Sequence, residues 1–167
     1  VFDPGCGDGR IVCEAVKTYG CRGFGVDIDP ERVAESRARA KEYGVENKVT
    51  ILQGDLLTTR FTSATVIAMY LLPRYNALLR PQLIRMPVGT RIVSHAFDME
   101  YDLPEDQKPI WKPQQTKEVT TKDGGSYTVY FWKITEEMKK AAGVPLKGQP
   151  GAKKKGKKGA PKQKPGA

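Results

Sequence analysis

The chain has 167 residues, 39% of them hydrophobic, enough for one domain with a real core. Its formal charge is +9, but eight lysines with no acid among them lie from Lys147 to Lys164, and without them 20 basic residues face 19 acidic ones; an argument for nucleic-acid binding from overall charge therefore applies to the tail alone. No apolar run approaches the ~20 residues that cross a membrane, no secretory leader is visible, and Cys6, Cys13 and Cys21 form no C-x-x-C pair, which points to a reduced, cytoplasmic protein without a metal site.

The first ten residues, Val-Phe-Asp-Pro-Gly-Cys-Gly-Asp-Gly-Arg, read as a strand, a glycine turn and a helix start. The helix runs from about Asp8 to Tyr19, with Ile11, Val12, Ala15, Val16 and Tyr19 at helical spacing and Gly20 as its stop. Gly23 to Asp27 is a second strand. Pro30 opens a second helix, capped by Asp29, with Glu31 in its first turn, and it runs to about Tyr43. Lys48 to Gln53 is a third strand. Thr65 to Tyr70 is a fourth, an unbroken apolar run suited to burial on both faces. A helix from Pro73 stops before Pro87, and Arg91 to His95 is a fifth strand. This alternation predicts a parallel sheet covered on both sides.

Residues 97–115 are rich in proline and charge and read as a loop with at most a helical turn. Lys117 to Lys122 and Ser126 to Ile134 flank Asp123-Gly124-Gly125, a hairpin signal. Glu136 to Ala142 adds a helical turn. From about Gly143 the chain is Gly, Pro, Ala, Gln and Lys, a composition that predicts disorder.

The glycines at 5, 7 and 9 do not fit the dinucleotide fingerprint. G-x-G-x-x-G from Gly5 needs glycine where Arg10 stands, and from Gly7 where Val12 stands. The spacing is D-x-G-x-G-x-G, and a carboxylate facing such a turn repels a pyrophosphate but holds an ammonium group. A cationic nucleoside is the expected ligand. Ligands of open parallel sheets sit at the carboxyl ends of the strands, so the acids there are the candidates. Asp27 ends the second strand, where a carboxylate accepts from the two hydroxyls of a ribose. Asp55 follows the third in Gly-Asp-Leu; taken alone it is a turn aspartate, but as the third acid in the series it is placed for an adenine amino group, with Ile28 and Leu56 on the two faces of the ring.

These words resemble the class I methyltransferases that use S-adenosyl-L-methionine, over about residues 1–134. The resemblance implies a Rossmann-like, mostly parallel, doubly wound α/β sheet ending in an antiparallel hairpin, the domain spanning 1–142 ahead of a disordered basic tail at 143–167. It implies that Asp3, Gly5, Cys6, Gly7 and Gly9 hold the methionine end of S-adenosyl-L-methionine, Asp27 the ribose, and Ile28, Asp55 and Leu56 the adenine. Asp-Gly-Arg-Ile-Val, the acidic strand end before a Pro helix, and Gly-Asp-Leu are closest to small bacterial proteins related to the mitochondrial lysine methyltransferases of ATP synthase subunit c and the adenine nucleotide carrier. Two features depart from that group: its mitochondrial members' membrane-anchoring segment is absent, and Tyr-Leu-Leu-Pro replaces the wording expected after the fourth strand. Relatives carry helical residues ahead of the first strand, whereas this sequence opens at Val1 within it, so it reads as a fragment.

Methyl transfer from a sulfonium is an in-line displacement, and the enzyme supplies alignment and, for an amine, proton removal. A lysine has a reference pKa of about 10.4 and must lose a proton before attack. Tyr70 and His95, with Ser94 and Asp98 beside the latter, are the candidates at the acceptor side. A lone histidine at a strand end is more often a structural hydrogen-bonder, and no G-x-S-x-G elbow supports a Ser-His-Asp hydrolase. The expected acceptor is a protein lysine nitrogen. The alternatives are an RNA or small-molecule methyltransferase, though no Asn-Pro-Pro-Tyr follows the fourth strand, or a catalytically weak nucleic-acid binder. The Lys-rich tail is either a weak nucleic-acid contact or simply solvated, as it holds no aromatics to stack on bases.

Overall fold

The computed structural model describes residues 1–121 and 123–146. Seven strands form one sheet in the order β3-β2-β1-β4-β5-β7-β6. They are β1 (Phe2–Pro4), β2 (Gly23–Asp27), β3 (Val49–Gln53), β4 (Val66–Met69), β5 (Arg91–His95), β6 (Gln115–Thr120) and β7 (Ser126–Lys133). The first five pair in parallel and β7 runs antiparallel to both β5 and β6. This is the Rossmann-like sheet with a terminal hairpin that the sequence leads one to expect. The helices are α1 (Arg10–Tyr19), α2 (Pro30–Glu42), α3 (Pro73–Leu83), α4 (Lys108–Trp111) and α5 (Glu136–Ala141).

Local signals explain most boundaries. α1 begins two residues later than its apolar spacing suggests, because Gly9 occupies the left-handed region and is its N-cap. α2 starts at Pro30, and the Asp29 carboxylate accepts from the Glu31 N–H at 2.8 Å, which satisfies one of the four orphan donors. α3 carries Pro81 inside it. Proline has no N–H for the Ala77 carbonyl, and the Arg80 Nε donates to that oxygen instead, at 3.3 Å. β6 starts at Gln115, two residues ahead of the expected Lys117, and ends at Thr120. Gly124, at φ +85°, turns the chain there.

Two apolar layers sandwich the sheet. On one side α3 and the segments after β5 pack Leu79, Leu83, Met86 and Met99 against Phe2, Ile67, Ile92 and Trp132. The Trp132 indole donates to the Trp111 carbonyl at 2.7 Å and so ties α4 to β7. On the other side α1 and α2 bury Val12, Cys13, Val16, Val33 and Ala40 against Val49 and Ile51. The expectation that β4 is buried on both faces fails at alternate residues: Ile67 and Met69 are buried, but Val66 and Ala68 are only half-buried. Ala68 lines an open cavity of about 580 Å³ with Val93, Val129 and Ile11. No described helix is long and apolar enough to cross a membrane.

The glycine turn lies close against β2. A Cβ on Gly25 would stand 2.9 Å from both the Cys6 Sγ and the Ile51 Cδ1, so an ordinary side chain in mid-strand would push the turn off the sheet. Gly25→Ala is expected to destabilise the protein by about 1–3 kcal/mol, read by urea unfolding.

Candidate functional site

The polar residues that the fold buries are concentrated at the carboxyl ends of the strands. Asp3, Ser36, Asn76 and Ser94 are each 1% exposed or less. Charged and hydroxyl groups are rarely buried without partners, so each signals a local constraint.

β1 delivers Asp3 to the floor of a cleft of about 350 Å³. The cleft is lined by Asp3, Gly5, Cys6, Gly7, Asp8, Arg10, Ile11, Arg32 and Tyr70. The turn above Asp3 hooks onto β2, with the N–H groups of Gly5 and Cys6 donating to the Val26 carbonyl at 2.8 and 2.9 Å. Gly5, Gly7 and Gly9 all have positive φ, at 70°, 53° and 76°. Their reasons differ. A Cβ on Gly5 would meet the Leu71 Cδ2 at 2.6 Å, and one on Gly9 would lie 3.0 Å from Ser36 of α2. A Cβ on Gly7 would meet nothing within 4 Å. Gly7 leaves an open space over the turn, where a ligand approaches backbone unhindered.

Asp27 is held in place from two directions. Its Oδ2 accepts from the Gly7 N–H at 2.8 Å and its Oδ1 from the Asp29 N–H at 3.0 Å. Each carboxylate oxygen retains lone pairs for a further donor. Asp8, the next residue in the turn, pairs with Arg10 and Arg39, both at 2.8 Å. The Arg10 hydrogen bonds hold its carboxyl down at about 2.

Asp3 is the opposite case. Burial raises its carboxyl to about 8, with the Val12 N–H pulling down and the charges of Asp27 and Asp8 pushing up. Its Oδ2 is buried without a hydrogen-bond partner. The Asp3 Oδ2 thus has room for a donor, below an open cleft. Burial likewise pushes the Cys6 thiol up to about 12, so Cys6 is a neutral wall, not a nucleophile.

Ile28, Asp55 and Leu56 stand away from that cleft. Ile28 is exposed, and the Asp55 Oδ1 accepts from the Leu57 N–H at 2.8 Å, as a turn aspartate does. Leu56 comes close to the turn, 3.4 Å from where a Gly5 Cβ would lie. The Gly54 N–H donates to the Asp27 carbonyl at 2.9 Å and keeps this rim beside β2.

Tyr70 and His95, from the ends of β4 and β5, meet edge to face with ring centroids 4.5 Å apart. Phe97 stacks near Tyr70 at 6.4 Å, and Tyr127 of β7 lies 4.8 Å from His95. The His95 Nδ1 is buried without a partner. The chain turns sharply here. Ala96 has φ +66°, costly for a residue with a Cβ, and the Phe97 N–H closes on the His95 carbonyl at 2.8 Å. Asn76 and Ser94 brace the turn, donating to the Phe97 carbonyl at 3.3 and 2.6 Å. Tyr70 lines both this aromatic recess and the cleft over Asp3. Ser94 and His95 are neighbours in sequence, but the Ser94 hydroxyl is committed to the Phe97 carbonyl rather than to a triad.

Ser36, Arg39 and Asn76 escape a reading of the sequence alone. Ser36 carries a detectable mark, since it stands at the i+3 position between Val33 and Ala40 on the buried stripe of α2.

This arrangement is similar to known proteins. A family model described as the ANTKMT methyltransferase domain matches residues 3–106. The chain is 35% identical over 139 residues to a protein-lysine N-methyltransferase of Saccharolobus islandicus, covering 81% of this chain and 80% of that one. It is 43% identical, with a TM-score of 0.69 and 81% and 80% coverage, to the crystal structure of an RNA methyltransferase from Salinibacter ruber in complex with S-adenosyl-L-homocysteine. A tRNA (m1A22) methyltransferase from B. subtilis shares the fold at a TM-score of 0.64, 15% identity and coverage of 87% and 64%. The buried acid, the open glycine turn and the fixed carboxylate of β2 suit a cationic nucleoside, and S-adenosyl-L-methionine is the cofactor. The chain belongs to the ANTKMT methyltransferase family and is an S-adenosyl-L-methionine-dependent methyltransferase.

Proposed function

We propose that this protein methylates the side-chain nitrogen of a lysine in a protein substrate, with residues 1–142 as the catalytic unit. The observation that carries the reading is the aromatic recess of Tyr70, His95 and Tyr127, which opens into the cleft over Asp3 through Tyr70. Electron-rich ring faces attract an ammonium group and so favour a lysine side chain at this recess. The similarity to the S. islandicus enzyme supports a protein acceptor.

In this reading Asp3, Gly5, Cys6 and Gly7 receive the methionine end of the cofactor and Asp27 its ribose. Gly9 serves by letting α2 approach the turn. The exposed side chain of Ile28 and that of Leu56 cover the adenine, and Asp55 accepts from its amino group. When bound, the cofactor supplies an activated methyl group on sulfur. Tyr70 and His95 would line the path of the incoming nitrogen, with the His95 imidazole as the group to take its proton. Three free cysteines suit a reducing, cytoplasmic setting.

The S. ruber structure is named for RNA, and that is the competing acceptor. Against it stands the near-neutral charge of positions 1–146. An RNA surface needs several phosphate-neutralising cations. Residues 147–167 of the Lys-rich tail, where a nucleic-acid contact and disorder are expected, lie outside the described residues, whereas disorder from residue 143 is corrected at Val144, which packs against the core and donates to the Lys139 carbonyl at 2.8 Å. The test is transfer of radiolabelled methyl groups into cell lysate. Label that is lost on protease treatment, survives nuclease and is recovered as methyl-lysine is the expected result. Label in nuclease-sensitive material would overturn the proposal.

A further inference from the structure

We infer that α2 is the clamp that sets the cofactor-binding turn, with Ser36 as its positioning residue and Arg39 as its second point of hold. The inference rests on the turn being the seat of S-adenosyl-L-methionine.

The argument begins with a buried hydroxyl. Ser36 is fully buried on the apolar face of α2, between Val33 and Ala40. A hydroxyl there must find a partner or cost stability. It donates to the Gly7 carbonyl at 2.6 Å, and the Cys6 Sγ lies 3.7 Å away. The Gly7 N–H donates in the opposite direction, to the Asp27 Oδ2 at 2.8 Å. The two bonds fix the peptide planes on both sides of Gly7, and therefore both its dihedral angles. No other residue type has more conformational freedom to lose, and of the three turn glycines only Gly7 has open space where a Cβ would stand.

Arg39 acts one helical turn further on, at i+3. Its Nε donates to the Asp8 carbonyl at 2.9 Å and its Nη2 to the Asp8 carboxylate at 2.8 Å. Residues 7 and 8 are thus held by two side chains from one face of one helix. Gly9 completes the fit, because a Cβ there would lie 3.1 Å from the Ser36 Cα. The cost of ordering the turn is met on folding, and the cofactor does not bear it on binding.

Without the Ser36 hydroxyl the Gly7 carbonyl loses its anchor and the turn samples conformations in which its N–H leaves Asp27. The test uses the full chain and S-adenosyl-L-homocysteine in calorimetry, with melting as a check on folding. Ser36→Ala is expected to raise Kd about tenfold, the effect of one good hydrogen bond. Asp27→Asn combined with it is expected to lose less than the sum of the two single losses, because both act through Gly7. In ¹⁵N-edited spectra the Gly7 amide proton is expected to move upfield in both Ser36→Ala and Asp27→Asn, since it donates to Asp27. If Ser36→Ala does not fold, Arg39→Ala, at a partly exposed position, is read in the same way, with partial recovery in Arg39→Lys. Wild-type affinity in the variant, additive losses, or an unmoved Gly7 amide would overturn the inference. Failure of the wild type to bind S-adenosyl-L-homocysteine would instead remove the cofactor seat itself.

Discussion

Asp3→Asn is expected to make the ligand-free protein more stable at neutral pH and to weaken cofactor binding a hundredfold or more. Both effects come from one group. The buried Asp3 carboxyl is raised from 3.8 to about 8, so at pH 7 the folded protein holds a proton there that the unfolded chain does not. Its contribution to stability is complete below pH 3.8, falls as pH rises, and is lost above about 8. An amide in its place has no such loss. At about 1.4 kcal/mol for each pKa unit, melting at pH 8 should rise by roughly 10–20 °C in the variant and differ little at pH 4.

The cofactor reverses the balance. Its sulfonium and ammonium charges favour the ionised carboxylate, against Asp8 and Asp27, which disfavour it. Binding by the wild type should therefore tighten as pH rises to about 8 and release a proton at pH 7. Arg10 and Arg32 line the same cleft but remain charged throughout this range. Calorimetry in two buffers of different ionisation enthalpy counts the proton. A wild-type affinity that is flat from pH 6 to 9, or retained in Asp3→Asn, would refute the assignment.

Gly7→Val is expected to remove measurable cofactor binding while leaving a folded protein. At φ +53° a β-branched residue is strained, at a cost of about 1–2 kcal/mol, which a domain of this size survives. The valine methyl groups would project into space that is otherwise open, inside a cleft of about 350 Å³. Urea unfolding should show the modest loss and calorimetry with S-adenosyl-L-methionine the complete one. Unchanged affinity would mean that the ligand does not pass over Gly7.

Much of this was legible in the chain because local chemistry decides it. The Pro30 helix with its Asp29 cap, the glycine turn and the acid at the end of β2 follow from turn and cap preferences that operate within a few residues. The antiparallel hairpin announces itself through Asp123-Gly124-Gly125, although the exact start of β6 does not, and neither does the distant hydrogen bond of Trp132 to the Trp111 carbonyl. The half-covered face of β4 was misread because an apolar run looks the same under a helix as beside an open cavity. Ser36, Arg39 and Asn76 act on residues 18–31 positions away, and no pattern within their own helices specifies a partner at that distance. The protonation of Asp3 is likewise set by its surroundings and not by its motif.

The glycine turn and Asp27 come from the first 27 residues, whereas Tyr70, His95 and Tyr127 come from β4, β5 and β7. Tyr70, Arg10 and Ile11 border both cavities. In the proposed function the methyl supply is held by the first stretch and most of the acceptor wall by the later one, with Arg10 and Ile11 shared between them. Changes confined to the later stretch would retarget such an enzyme towards a different nucleophile while its methyl supply stays intact.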